Sequence, residues 1–193
     1  KICLISDDDV VYYSNFENRI ITAFNQNPDA SIITFNHQRE GVDKPQNSSQ
    51  ITFNHTQESI KSVCSIEITF QLKDIKLNNL FFDKNFGLGS YFETAEEYLF
   101  LRDIIKLKMF ALFYPSIIVS HPLISSGEDQ GSDRILFARS ALFYKTKRNL
   151  AYIWLLKYVF FLVRKRYIGR NECLGKYKTG LLGIRKYKEL VKQ

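Results

Sequence analysis

Two hydrophobic periods alternate over residues 2–35, and that alternation restricts the chain to an α/β fold. Ile2, Cys3, Leu4 and Ile5 form a short unbroken apolar run, as a buried strand does. Residues 15–26 (NFENRIITAFNQ) then set Phe16, Ile20, Ile21 and Phe24 at helical spacing. Asn15 is a candidate cap, and Asn27, Pro28 and Asp29 end the helix, since proline cannot continue one. Residues 31–35 read as a second strand. Parallel strands need a crossover connection, usually a helix, so the segment predicts a β-α-β unit.

The remaining pattern is mixed. Residues 36–50 are polar, with Gly41, Pro45 and the run Gln46, Asn47, Ser48, Ser49, and read as a loop. ITFNH occurs at 33–37 and again at 51–55, too short for a repeat architecture, and two strands of similar exposure account for it. Residues 63–70 (VCSIEITF) are a further strand candidate. Residues 75–82 lead into a loop whose Gly87 and Gly89 suit close backbone approach. Residues 94–108 predict a helix, with Thr94 as cap and Glu97 completing a capping box; Leu99, Leu101, Ile104, Ile105 and Leu107 supply its apolar face. Residues 110–114 and 117–119 are strand-like and divided by Pro115. A polar loop follows His121 and Pro122 as far as Asp133, and 134–166 read as helices.

Charge divides the 193 residues. Residues 1–137 carry 12 Lys/Arg against 18 Asp/Glu, and residues 138–193 carry 15 against 2. We read 1–137 as the main domain and 138–193 as a basic, aromatic-rich helical extension facing a different, anionic partner. Hydrophobic residues at 45 % and aromatics at 15 % support a packed core and exclude a disordered chain. Cys3, Cys64 and Cys173 are widely spaced without a CxxC, which fits free thiols in a reducing compartment rather than a zinc site. Lys1 runs straight into an apolar strand, so a preceding segment is expected. Residues 150–163 are apolar except Lys157. As a helix they extend roughly 21 Å against a bilayer core of about 30 Å, too short to span. Lys145, Lys147 and Arg148 precede them and Arg164, Lys165 and Arg166 follow. That suits a helix lying on anionic lipid; a core or homodimer-interface helix with solvated ends is the other reading.

Two constellations carry chemistry. Asp7, Asp8 and Asp9 follow the first strand, where ligand sites of open α/β sheets lie. Three crowded carboxylates repel, and a divalent cation relieves the repulsion; Mg²⁺ or Mn²⁺ suits their oxygens. An acidic turn would use the same residues. Glu96 and Glu97 open a predicted helix. One could serve as general base on a hydroxyl, although glutamates also commonly offset a helix dipole there.

In order, the segments ICLISDDDVVY (2–12), FDKNFGLGS (82–90), EEYLFL (96–101) and YPSIIVSHP (114–122) resemble family-2 glycosyltransferases of the GT-A fold, of the bacterial polysaccharide type. The resemblance covers residues 1–145. It implies a GT-A-like mixed sheet flanked by helices. It also implies that the nucleotide-gripping N-terminal portion lies outside the chain, which alone is expected to be inactive. It places the donor diphosphate on Asp7, Asp8, Asp9 and His121, with Asp9 and Asp7 as ligands of Mn²⁺ or Mg²⁺. Glu97 becomes the base and Glu96 its rival, since the family more often has Glu-Asp at this pair. Phe86, Gly87, Leu88 and Gly89 would line the acceptor site. The implied reaction is sugar transfer with inversion from a nucleotide-sugar, a UDP-sugar above all, to a saccharide or lipid-linked acceptor. The implied setting is bacterial surface polysaccharide synthesis at the cytoplasmic face of the plasma membrane. Two other readings remain open: another divalent-metal enzyme acting on nucleotides or phosphates, and a non-catalytic module binding membrane or nucleic acid. The long apolar helix argues against nucleic acid.

Overall fold

In the computed structural model, residues 1–42, 45, 47–121 and 130–192 are described. The polar loop expected after His121 falls, over 122–129, outside the described residues, as do 43, 44 and 46 of the 36–50 loop. By packing, the chain forms two units: Lys1–Phe82 with Glu97–Ser125, and Asp83–Glu96 with Ser126–Gln193.

The first unit holds a six-stranded mixed sheet flanked by helices. Its elements are β1 (Ile2–Leu4), β2 (Val11–Tyr12), α1 (Phe16–Gln26), β3 (Ile32–Arg39), β4 (Phe53–Asn54), β5 (Ile68–Gln71), α2 (Leu72–Leu77), α3 (Glu96–Lys106) and β6 (Ala111–His121). The strand order is β1-β5-β3-β6-β2, with β4 also on β6. Among the described strands of this sheet, β3 and β6 pair in parallel and the other pairs are antiparallel. Both β1 and β3 run antiparallel to β5, which lies between them, so the expected β1-α1-β3 crossover spans one intervening strand.

Strand alternation sends neighbouring residues to opposite faces. On one face Ile33, Phe35 and Leu112 meet Ile20, Ala23 and Phe24 of α1. On the other Ile32, Ile68 and Ala111 meet Phe100, Leu101 and Ile104 of α3. Ile21, read as part of the apolar face of α1, points to solvent instead.

Several expectations change. β1 is not buried: it pairs only with β5 among the described residues, and Ile2 is 36 % exposed. Asn15 adopts left-handed backbone at φ 63° and makes no side-chain cap. The loop expected from residue 36 begins later, because β3 continues to Arg39 along β6. Asn36 and His37 are buried there and Gln38 and Arg39 half-buried; the Asn36 amide donates to the Asn47 carbonyl at 3.1 Å, and Asn47 N–H donates back to Asn36 Oδ1 at 2.9 Å. The two ITFNH copies differ in exposure, with Ile33 fully buried and Ile51 72 % exposed. The strand at 63–70 shortens to β5, preceded by helical turns at Ser59–Ser62 and Ser65–Glu67. α3 starts at Glu96, directly after Ala95 at φ 73°, so Thr94 is not the residue preceding the helix. Pro115 does not divide β6. It falls where the β3 register shifts, between the Phe113 and Ile117 pairings, and between the β4 and β2 pairings on the other edge. A proline lacks the N–H for a ladder bond, and this gap asks for none.

The second unit contains α4 (Asp133–Lys147), α5 (Leu150–Arg164) and α6 (Cys173–Leu190) with the segment Asp83–Glu96. Ser132 caps α4, its hydroxyl accepting from Ile135 N–H at 3.3 Å. Leu136, Leu155, Leu162 and Ile184 form the centre of its core. Two glycines let α6 approach closely. A Cβ on Gly183 would lie 2.2 Å from the Phe137 carbonyl oxygen, and one on Gly180 2.3 Å from Leu155 Cδ1. No helix among the described residues is long and apolar enough to cross a membrane.

Candidate functional site

In the sheet unit the aspartates leave β1 and the chain returns at once as β2, antiparallel to the end of β6. Val11 faces Ser120 and Tyr12 faces Val119. One further step in that register sets Val10 across from His121, and so brings Asp9 beside it. Asp9 Oδ1 lies 3.8 Å from His121 Nε2. Asp7, Asp9 and His121 each offer one ligand atom, and all lie within 4.8 Å of one another. The Ser65 hydroxyl donates to Asp7 Oδ2 at 3.3 Å. Asp8 is exposed and stands outside this group. Two carboxylate oxygens and an imidazole nitrogen, open to solvent, are donors that suit a small divalent cation.

Behind this group lies a polar set that sequence reasoning did not find. The buried Glu67 carboxylate meets His37 Nδ1 at 2.9 Å and accepts from the Cys64 backbone N–H at 3.0 Å. The His37 and His121 rings meet edge to face, centroids 6.3 Å apart. The Cys64 thiol is pushed up to about 12, first by burial and then by the charges of Glu67, Glu97 and Asp7; Arg39 opposes them. Glu97 of α3 and Asp7 after β1 thus both act on this thiol. His37, Cys64 and Glu67 also cluster at metal-ligand range. The Glu67 carboxylate, bonded to His37 on β3 and to the Cys64 N–H, ties the turn before β5 to the sheet. One sequence signal did mark it: Glu67 sits between Ile66 and Ile68, a charge inside an apolar run.

The same unit contains a cleft of about 210 Å³ whose lining includes Thr34, His55, Ser59, Glu67 and Phe113. His55 bridges Thr34 Oγ1 at 2.7 Å and Ser59 Oγ at 3.0 Å. Burial lowers its pKa to about 4, so it is neutral at pH 7.

In the other unit, the glycine loop folds on itself. Ser90 N–H and hydroxyl both donate to the Gly87 carbonyl, at 3.0 and 2.7 Å. Gly87 at φ 111° and Gly89 at φ 78° need the freedom of glycine. Gly87 also makes room for Glu96: a Cβ there would lie 3.1 Å from the Glu96 carboxyl carbon. Phe86 is buried against Phe92, centroids 4.8 Å apart, and serves the core. Of the four loop residues only Leu88, 68 % exposed, presents a side chain to solvent. Asp83 anchors the loop through Lys145 Nζ at 2.9 Å. Burial works against the Lys145 charge, but hydrogen bonding and attraction to Asp83 outweigh it and hold Lys145 above its ordinary value.

No protein-family model and no curated protein matches the chain. Among solved structures it is similar to residues 1–349 of the S. aureus glycosyltransferase TarS, with a TM-score of 0.48 and 12 % identity. The match covers 97 % of this chain and 66 % of that one, so the chain spans less than two thirds of the TarS structure. An overlap this loose decides nothing about activity, and the case for a function rests on the chain's own residues.

Proposed function

We propose that the chain is the metal-holding and acceptor-activating part of a GT-A-type glycosyltransferase. Its reaction moves a sugar with inversion from a nucleotide-sugar, UDP-linked, to a hydroxyl of a saccharide or lipid-linked acceptor. The observation that supports this reading is the convergence of Asp7, Asp9 and His121 within 4.8 Å.

Asp7, Asp9 and His121 would hold Mn²⁺ or Mg²⁺, which supplies positive charge against the departing nucleoside diphosphate. Glu97 accepts the proton of the acceptor hydroxyl as its oxygen bonds to the anomeric carbon. The bond from that carbon to the diphosphate breaks on the opposite face. A single displacement of this kind inverts the configuration, and one carboxylate base suffices for it. Glu96 orients the acceptor or the base by hydrogen bonding.

The test has two arms. Calorimetric titration of the chain with Mn²⁺ is expected to give one site, lost in Asp7→Asn/Asp9→Asn and weakened in His121→Ala. The full-length protein, assayed against a panel of nucleotide-sugars, is expected to transfer from at least one and to stop when EDTA is added. Unchanged Mn²⁺ binding in the double variant would overturn the metal assignment. Transfer from no donor in the panel would overturn the class.

A further inference from the structure

The most unusual surface of the helical unit is α5, which has two apolar faces. Ala151, Leu155, Val159 and Leu162 face the core. Leu150, Ile153, Leu156 and Phe160 face solvent, Leu156 and Phe160 at 63 % and 70 % exposure. At 100° per residue these four fall on one side of the helix, opposite the buried four. A large apolar stripe left in water marks an interaction site.

Charge identifies the partner. Lys147 and Arg148 are exposed before the stripe, Arg164, Lys165 and Arg166 after it, and Lys157 within it. No Asp or Glu occurs between Asp133 and Glu172. Cations on α5 and at both its ends, with no carboxylate on the helix itself, repel a second copy of the same face. Nucleic acid offers the cations phosphates but gives the stripe no apolar phase to enter. An anionic bilayer offers both: headgroups for the cations and acyl chains for the stripe, while Lys157 and Arg164 reach back to the headgroups along their own stems.

We propose that α5 seats the helical unit on an anionic lipid surface, lying in the plane of the interface with Leu150, Ile153, Leu156 and Phe160 inserted. This extends beyond the sugar-transfer reading and stands without it, because the test reads lipid binding alone.

The test is co-sedimentation of the full chain with two sets of vesicles: mixed phosphatidylcholine and phosphatidylglycerol, and phosphatidylcholine alone. The chain is expected to pellet with the mixed vesicles and to stay in solution with the others. Leu156→Glu/Phe160→Glu is expected to lower the partition coefficient at least about tenfold, because it puts charge where acyl contact should be. Circular dichroism melting reports whether that variant is folded. Lys165→Glu/Arg166→Glu, at exposed positions after the helix, keeps the question answerable if it is not: binding should fall several-fold. Wild-type binding should weaken as salt rises from roughly 0.1 M to roughly 1 M, where the screening length shrinks from about 10 Å to about 3 Å. Equal binding to both vesicle types would overturn the proposal. So would a dimer in sedimentation velocity that binds no vesicles and is dissolved by Leu156→Glu/Phe160→Glu, which would make the stripe a contact between copies.

Discussion

The two units spend their unusual residues in opposite ways. The sheet unit buries polar groups: Ser31, Thr34, Asn36, His37, Glu67 and Thr69 all lie inside. Hydrogen bonds hold them there, such as the Thr69 hydroxyl donating to the Ile33 carbonyl at 2.7 Å and His37 meeting Glu67 at 2.9 Å. The helical unit, among its described residues, buries one polar residue, Ser140, and instead leaves apolar side chains of α5 in water. Buried polar groups cost free energy unless every bond is made, so they fix one geometry. Exposed apolar groups fix nothing internally and become useful only against another phase. The proposed cation site accordingly lies in the first unit, and the proposed lipid-facing surface in the second.

The largest expected effect separates the adjacent glutamates at the unit boundary, Glu96 counted with the helical unit and Glu97 with the sheet unit. On the proposed transfer reaction, Glu97→Gln should lower kcat by roughly 10²–10⁴-fold, the usual contribution of a general base, while leaving Mn²⁺ binding intact. If Glu96→Gln causes that loss instead, the base lies with the glycine loop and the division of labour fails.

A smaller effect probes the polar interior of the sheet unit. His55 has a folded pKa of about 4 against the ordinary 6.5. The unfolded chain therefore takes up the proton first as pH falls. Stability is complete above pH 6.5, declines below it, and levels off under about pH 4, a total loss of about 3 kcal/mol. Urea midpoints measured across that range should show the slope, and His55→Asn should flatten it. A wild-type slope unchanged in the variant would assign the pH dependence elsewhere.

The smallest effect belongs to the close-packed helices. Gly183→Ala puts a methyl group against backbone, the Phe137 carbonyl, and should cost about 1–3 kcal/mol in thermal or urea unfolding. Gly180→Ala meets the mobile end of Leu155 and should cost less. An equal cost at both positions would mean that α6 can shift as a whole, and that its glycines do not set the approach.

Much of the architecture was legible as periodicity. The β-α-β opening, the helix from Glu96 and the helix at Leu150 follow from apolar spacing that survives in the packed chain. Where that reading failed, pairing had overruled local composition. Residues 36–39 are too polar to read as buried strand, and only the ladder to β6 keeps them extended. Pro115 reads as a break, and only the register shift beside it allows one strand to pass through. For the site, the family resemblance grouped Asp7, Asp8, Asp9 and His121, and residue spacing alone would not have joined His121 to the aspartates. Their meeting depends on the register of two strands more than a hundred residues apart.

By itself, then, the sequence marked the longer helices at 16–26, 96–106 and 150–164, the carboxylates that suit a cation, and where the positive charge collects, but not the short helix Leu72–Leu77. These are local properties, set by spacing and side-chain chemistry. The tertiary structure alone decided that β1 pairs only with β5 among the described residues, that Glu67 bonds both His37 and the Cys64 N–H, and that one face of α5 is exposed. Those facts depend on which surfaces meet, and a face is buried or free only once its neighbours are in place.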